Sequence, residues 1–597
     1  MIQTNTSQNH LSKIYTQQKS QNQLYKTFST IQYQKQEQYL QPKSIVQQSQ
    51  CQIFPFGQYP PLNQQIFQRN KNIIQAQPVQ QIYVQPVKSI TNRPQITLNN
   101  LCFNDDEMIE PQKQIIKQNV MKYDLNNNIK FEVKTIYQAV RLLNNKAQYL
   151  PGIVSIKAQE KTISENNKNE RVGVDLICLI DISGSMIGIK IEMVKQSLII
   201  LLQFLGDNDR LQLITFDDKA YKLTPLKRGT QKNKEYFTQI IKYIQADGGN
   251  QISEATQMAF QQLKYRKYVN NVTSIFLLSD GVDFTFPAIQ TQIKSVNEVF
   301  TLHTFGFGED HDAPMMTSIC NLKSGSFYFV QDVTLLDEFF ADALGGLISV
   351  VGENLEINIS SSAPAPYQNI QISKTYGNMW KKKGNKYQIT QPQLASGSRK
   401  DYVFELLLPK FEGRVQDYQR NVEVIDAEFK IRDPVNGSFI IKKTKMMLTF
   451  FNLDEQINQN INLDIDVYAQ YFRVKGTEVI DQARKVCEQN KNEDAQKLID
   501  NMLIQIQKNQ NVAAQCGGII QDLQQAKQAS ERQSYDLFGQ KLMCQMVSNN
   551  YQQQGVNSIF SASGVQMQQP TAAQYQNCQQ QSMMFQVQRQ KPPYKYQ

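Results

Sequence analysis

VGVDLICLIDISGS, residues 172–185, reads as one buried strand that stops on an acidic residue and runs straight into a helix. Apolar side chains occupy both alternating sets of positions up to Ile180, the mark of a strand covered on both faces. Ile191, Val194, Leu198, Leu201, Leu202 and Leu205 then recur at helical spacing. Downstream, LQLITF (211–216), SIFLLS (274–279), FTLHTFGF (300–307) and SFYFV (326–330) read as further strands. Between them Lys232–Gln245, Ser253–Lys264 and Ala288–Asn297 read as helices. This alternation predicts an α/β domain over 171–345: a doubly wound, mostly parallel, Rossmann-like sheet with helices on both faces.

Outward from that domain the pattern changes. Residues 346–460 switch to period-two alternation in LEINIS (355–360), YVFELLL (402–408), AEFKIR (427–432) and FIIKKTKMMLTFF (439–451), with a turn signal at PVNG (434–437). An antiparallel β-sandwich is expected there. Residues 128–170 carry two strands expected to join that sandwich across the inserted α/β domain, then a polar linker, Ser164–Arg171. Residues 461–550 form a helical region, with amphipathic helices at 464–490 and 493–509 expected to pack on the sandwich. The ends, 1–127 and 551–597, are rich in Gln and lack periodicity, so both are expected to be disordered tails.

Composition narrows the function classes. A chain of 597 residues that is 40% hydrophobic can bury a sizeable core. Its longest apolar stretches, Ser197–Leu205 and Ala343–Gly352, are too short to span a bilayer. No apolar signal segment opens the sequence, so secretion by that route is not expected. Eight scattered cysteines without a CxxC pair, beside three histidines, exclude zinc fingers and RING modules of the usual spacing. Such isolated thiols fit a reducing, cytoplasmic setting. Of the net charge of +10, residues 1–100 carry +8, from nine Lys/Arg against Glu37 alone. The basic character therefore belongs to a tail, which carries no aromatic–basic RNA module, and RNA is not an expected partner.

The chemistry concentrates at strand ends. Asp181-Ile182-Ser183-Gly184-Ser185 places one carboxylate and two hydroxyls where ligands bind in open parallel sheets, with Gly184 letting the backbone bend closely. LLSDG (277–281) ends another strand with Asp280, and ADGGN (246–250) brings Gly248, Gly249 and Asn250 before a helix. Hard oxygens from three loops suit Mg²⁺, with Mn²⁺ or Ca²⁺ as substitutes, and not a soft metal. The same groups also suit a purely structural role: Ser183 or Ser185 as a helix N-cap and Asp181 as an acceptor for loop amides. Asp217, Asp310 and Asp312 follow other strands as accessory candidates, though turn and cap roles fit them better. There is no GxSxG elbow with a His base and no GxxxxGK[ST] loop, so neither hydrolase nor nucleotidase chemistry is expected.

With these motifs in place the sequence resembles the von Willebrand factor A (VWA) domain. Asp181, Ser183, Ser185 and Asp280 match its metal-ion-dependent adhesion site (MIDAS), and Asn250 in GGNQI stands where the family commonly has Thr. The resemblance extends through HTFGFGEDHDAPMM (303–316), SGSFYFV (324–330), ALGGLISVV (343–351) and YFRVKGTEVIDQARKVCEQ (471–489) to an intracellular subgroup. That subgroup includes plant RING/VWA ubiquitin ligases and ciliate VWA proteins; the RING has no counterpart in this sequence. The resemblance implies a non-enzymatic protein-binding scaffold or adaptor, whose Mg²⁺ is completed by an Asp or Glu of the partner. It implies as the alternative a substrate-recognition component working with separate ubiquitin-ligase subunits.

Overall fold

The computed structural model describes residues 107–108, 123–161, 171–281, 283–455, 462–557 and 574–590. Val174–Asp181 forms a strand whose every residue is buried. It pairs in parallel with Arg210–Phe216 on one side and Val272–Ser279 on the other. Thr301–Phe307 and Phe327–Val330 continue the sheet in parallel, while Ala220–Lys222 and Lys227–Arg228 add short antiparallel pairings to Arg210–Phe216. Val174, Leu176, Cys178 and Ile180 point into a core with Ile191, Val194, Leu198 and Leu201 of the helix Ile189–Phe204, with Phe237 and Ile241 of Gln231–Lys242, and with Leu336–Ile348. Helices Ile252–Tyr265, Phe286–Lys294 and Ala313–Asn321 pack in sequence on the opposite face. The chain is thus doubly wound.

Ala313–Asn321 is short and follows Asp312, in the cap role that fits it from the sequence. The helix Leu336–Ile348 carries too little pattern to be read that way. In Leu336–Ile348 every residue except Gly346 is buried, including Asp337, Glu338 and Asp342. A helix covered all round carries no one-sided stripe.

A four-stranded and a six-stranded sheet enclose the second core. Gln148–Ala158 pairs antiparallel with Ile129–Thr135 and with Arg399–Leu408, register Ile156↔Lys400, so strands preceding the α/β domain lie in a sheet with strands that follow it. The six-stranded sheet is antiparallel except where Ala139–Arg141 runs parallel to Phe439–Phe451. Val467, Tyr471 and Val474 of the helix Ile465–Cys487 enter the same core as Phe404, Phe429 and Leu448.

The ends of the chain depart from the expected tails. Within 551–597, Cys578–Gln590 forms a helix packed against Leu336–Ile348, with Met583, Met584 and Val587 buried in the α/β core. Gln580 of this helix and Gln576 just before it do the satisfying that composition alone hides, donating to Asp342 Oδ1 at 3.0 and 2.7 Å. Gly345 makes the close approach, since a Cβ there would stand 2.8 Å from Gln580 Cα. Within 1–127, Glu107 accepts from Arg228 N and from Asn233 Nδ2, and Leu125–Asn128 is a short capped helix. Residues 1–106 and 109–122 lie outside the described residues. Among the described residues no helix is long and apolar enough to cross a membrane.

Candidate metal-ion site

Parallel pairing of Val174–Asp181 with Val272–Ser279, register Ile180↔Leu278, brings both strand ends out on one edge of the sheet. Asp181 is fully buried there; it accepts from the backbone N–H of Ser183 at 2.8 Å and from Ser279 Oγ at 2.5 Å. Ser183 Oγ lies 3.0 Å from Ser185 Oγ, and Ser185 Oγ donates to Asp280 Oδ1 at 2.7 Å. The other oxygen of Asp280 pairs with the Lys190 ammonium. Burial pushes the Asp181 carboxyl up to about 6; the charge of Asp280 adds to the rise, while the bonds from Ser183 and Ser279 oppose it. Ser185 and Gly184 are exposed, so the cluster opens to solvent at that corner.

The third loop is laced to the first by backbone bonds, Asp247 N to Ile182 O and Gly184 N to Gly248 O. Its two glycines exist for clearance: a Cβ on Gly249 would stand 2.0 Å from Asp218 Oδ1, and Gly248 has φ +125° against the Asp217 side chain. The Asn250 amide abuts Gly281, beside Asp280; a Cβ on Gly281 would meet its Nδ2 at 1.6 Å. Asn250 Oδ1 and Nδ2 are buried with no hydrogen-bond partner among the described residues. A buried amide oxygen without a partner among the described residues, on a side chain packed against the loop that carries Asp280, fits a hard divalent cation. On that observation the donor set suits the ion the sequence motif calls for.

The accessory candidates divide. Asp217 stays beside the site but turns its carboxylate to its own loop, accepting from Lys219 N at 2.9 Å, while its carbonyl holds Gln251 N. Asp312 caps Ala313–Asn321 through Met315 N, and Asp310 is exposed; neither bonds to Asp181, Ser185 or Asp280. His311 is buried against Phe327 and Phe329 with Nδ1 on Gly308 O, and burial drives its pKa down to about 3. Two participants escaped the sequence reading. Ser279 was visible within LLSDG as the residue before the aspartate, and Lys190 lies five positions beyond Ser185, a spacing no motif flags.

Residues 175–342 match the family profile of the von Willebrand factor type A domain. The chain carries a VWA domain. The E3 ubiquitin-protein ligase WAV3 of Arabidopsis thaliana is 28% identical over 245 residues, 40% of this chain and 32% of that protein. The E3 ubiquitin-protein ligase WAVH1 of the same plant is 33% identical over 122 residues, 18% of each chain. Inter-alpha-trypsin inhibitor heavy chain H4 of Bos taurus is 35% identical over 151 residues, 23% of this chain and 16% of that one. The match to these relatives thus spans a third of their length or less. In fold, a solved von Willebrand factor type A protein from Catenulispora acidiphila superposes with TM-score 0.52 at 14% identity, over 70% of this chain and 96% of its own. That share is larger than the VWA domain, so the common fold takes in part of the flanking sheets and helices as well.

Proposed function

We propose that this protein is a non-enzymatic, intracellular scaffold or adaptor whose VWA domain grips the carboxylate of a partner protein through a divalent cation. The observation that carries the reading is the Asn250 amide, buried without a partner among the described residues and packed against Gly281 in the loop of Asp280, which itself bonds to Ser185. Those five side chains would hold the ion, with Gly184 and Gly249 giving the loops room. A hard cation held there supplies a coordination position for an anionic oxygen. The chain's own residues orient that position: Ser279 and the Ser183 amide fix Asp181, and Ser185 ties Asp280 to the first loop. The intracellular placement is supported by the buried free thiols of Cys178, Cys320, Cys487, Cys516 and Cys544.

A second reading rests on the likeness to the plant ligases: the chain recruits substrate to a ubiquitin ligase whose RING is carried by another protein. One experiment serves both. Affinity purification of wild type and Asp181→Ala, each with and without EDTA, is expected to lose the same partners under either perturbation. Recurrent ligase subunits among those partners favour the second reading, and cytoskeletal or structural proteins the first. A partner set indifferent to both perturbations refutes metal-dependent binding.

A further inference from the structure

We infer that Lys190 sets the cation affinity of this site: its ammonium is a tethered counter-ion on Asp280 that competes with the divalent metal. This rests on the metal-ion reading above and adds a residue the VWA motif does not contain. Asp181 and Asp280 are 0% and 2% exposed and share one cluster of oxygens. A positive charge beside two carboxylates buried together favours their ionised form. Among the described residues, the cation that bonds to either of them is Lys190. With Ser185 on Asp280 Oδ1 and Lys190 on Oδ2, both oxygens of Asp280 are engaged within the chain.

The location of Lys190 argues that this contact is what holds it. It is the second residue of the helix Ile189–Phe204, whose N-cap Gly188 offers no side-chain bond. The N-terminal end of a helix repels a cation through its exposed N–H groups. Lys190 nonetheless reaches across that end, its Cε and Nζ lying 3.5 Å from where a Cβ on Gly308 would stand. The ammonium is thus lodged between the loops that end the strands Val272–Ser279 and Thr301–Phe307. At 26% side-chain exposure it retains a path to water, and a flexible four-carbon stem lets it leave without disturbing the backbone. A divalent ion entering the cluster meets this charge within a few ångströms, and must displace it or bind against its repulsion.

The test compares full-length wild type with Lys190→Met, Lys190→Gln and Lys190→Arg by calorimetric titration with MgCl₂, and by thermal melts in EDTA and in Mg²⁺. Removing the charge is expected to tighten Mg²⁺ binding by about tenfold in both Lys190→Met and Lys190→Gln, the scale of one partly screened repulsion. Lys190→Arg should stay as weak as wild type. In EDTA the two neutral variants should melt below wild type, and Mg²⁺ should close the gap. If wild type binds Mg²⁺ and the neutral variants bind it no more tightly, Lys190 is not a competitor and the inference fails while the metal reading stands. If none of the four proteins binds at millimolar Mg²⁺, the metal reading itself falls and takes this inference with it. Binding by the neutral variants alone would be its strongest support.

Discussion

Replacing Asp181 with asparagine is expected to stabilise the metal-free protein while abolishing its response to Mg²⁺. Burial raises this carboxyl from an ordinary value near 4 to about 6. The folded state therefore binds a proton that the unfolded state has already lost between those two values. Stability consequently falls as pH rises from about 4 to about 6 and is flat above, a loss on the order of 3 kcal/mol at ~1.36 kcal/mol per unit. Asparagine escapes that cost. The bonds that Ser183 and Ser279 make to the charged carboxylate are already contained in that shifted value, so the neutral amide forgoes only roughly 1 kcal/mol where its NH₂ replaces an acceptor for the Ser279 hydroxyl. The net is a gain of about 2 kcal/mol above pH 6. Urea unfolding in EDTA at a series of pH values measures this as the difference between wild type and Asp181→Asn, which cancels the other buried acids. A variant less stable than wild type at pH 7.5 in EDTA, or a difference that does not change between pH 4 and 6, would refute the reasoning. A thermal shift with Mg²⁺ that survives in Asp181→Asn would refute the site.

Asn250→Thr removes two buried unpaired amide atoms and installs the hydroxyl of the VWA pattern, so it should raise stability by about 1 kcal/mol and tighten Mg²⁺ binding, read by calorimetry. Burial lifts Asp342 to about 6 as well, against the opposing bonds from Gln576, Tyr328 and Gln580. Its contribution also weakens as pH rises from about 4 to 6, and Asp342→Asn should flatten that part of the stability profile. Gly345→Val forces the helix Cys578–Gln590 away from its seat; unfolding should ease by about 1–3 kcal/mol, and limited proteolysis should cut near residue 577 sooner than in wild type. Unchanged cleavage would mean that this helix is not held at Gly345.

How far the sequence could be read depended on whether the signal was local. The strands of the α/β sheet and the helix from Ile189 were legible because apolar periodicity survives whatever packs against it. The helix Cys578–Gln590 was not, because three buried apolar residues in a glutamine-rich run look like tail until Asp342 and Gly345 meet them. Asp312 caps a helix and Asp310 lies in solvent, the roles that fit them better from the sequence, although an acid after a strand has the same local appearance in a site, a turn or a cap.

Chain order alone determined the strand that ends in Asp181, the two serines behind it, and the later loops bearing Asn250 and Asp280; a strand end before a helix and a glycine pair are properties of neighbouring residues. The fold decided what those groups touch. That Ser279 braces Asp181, that the Asn250 amide is buried without a partner among the described residues, and that Lys190 lies across Asp280 depend on loops up to about a hundred residues apart meeting at one sheet edge. Desolvation and charge pairing are set by distance in space, and spacing along the chain carries no record of it.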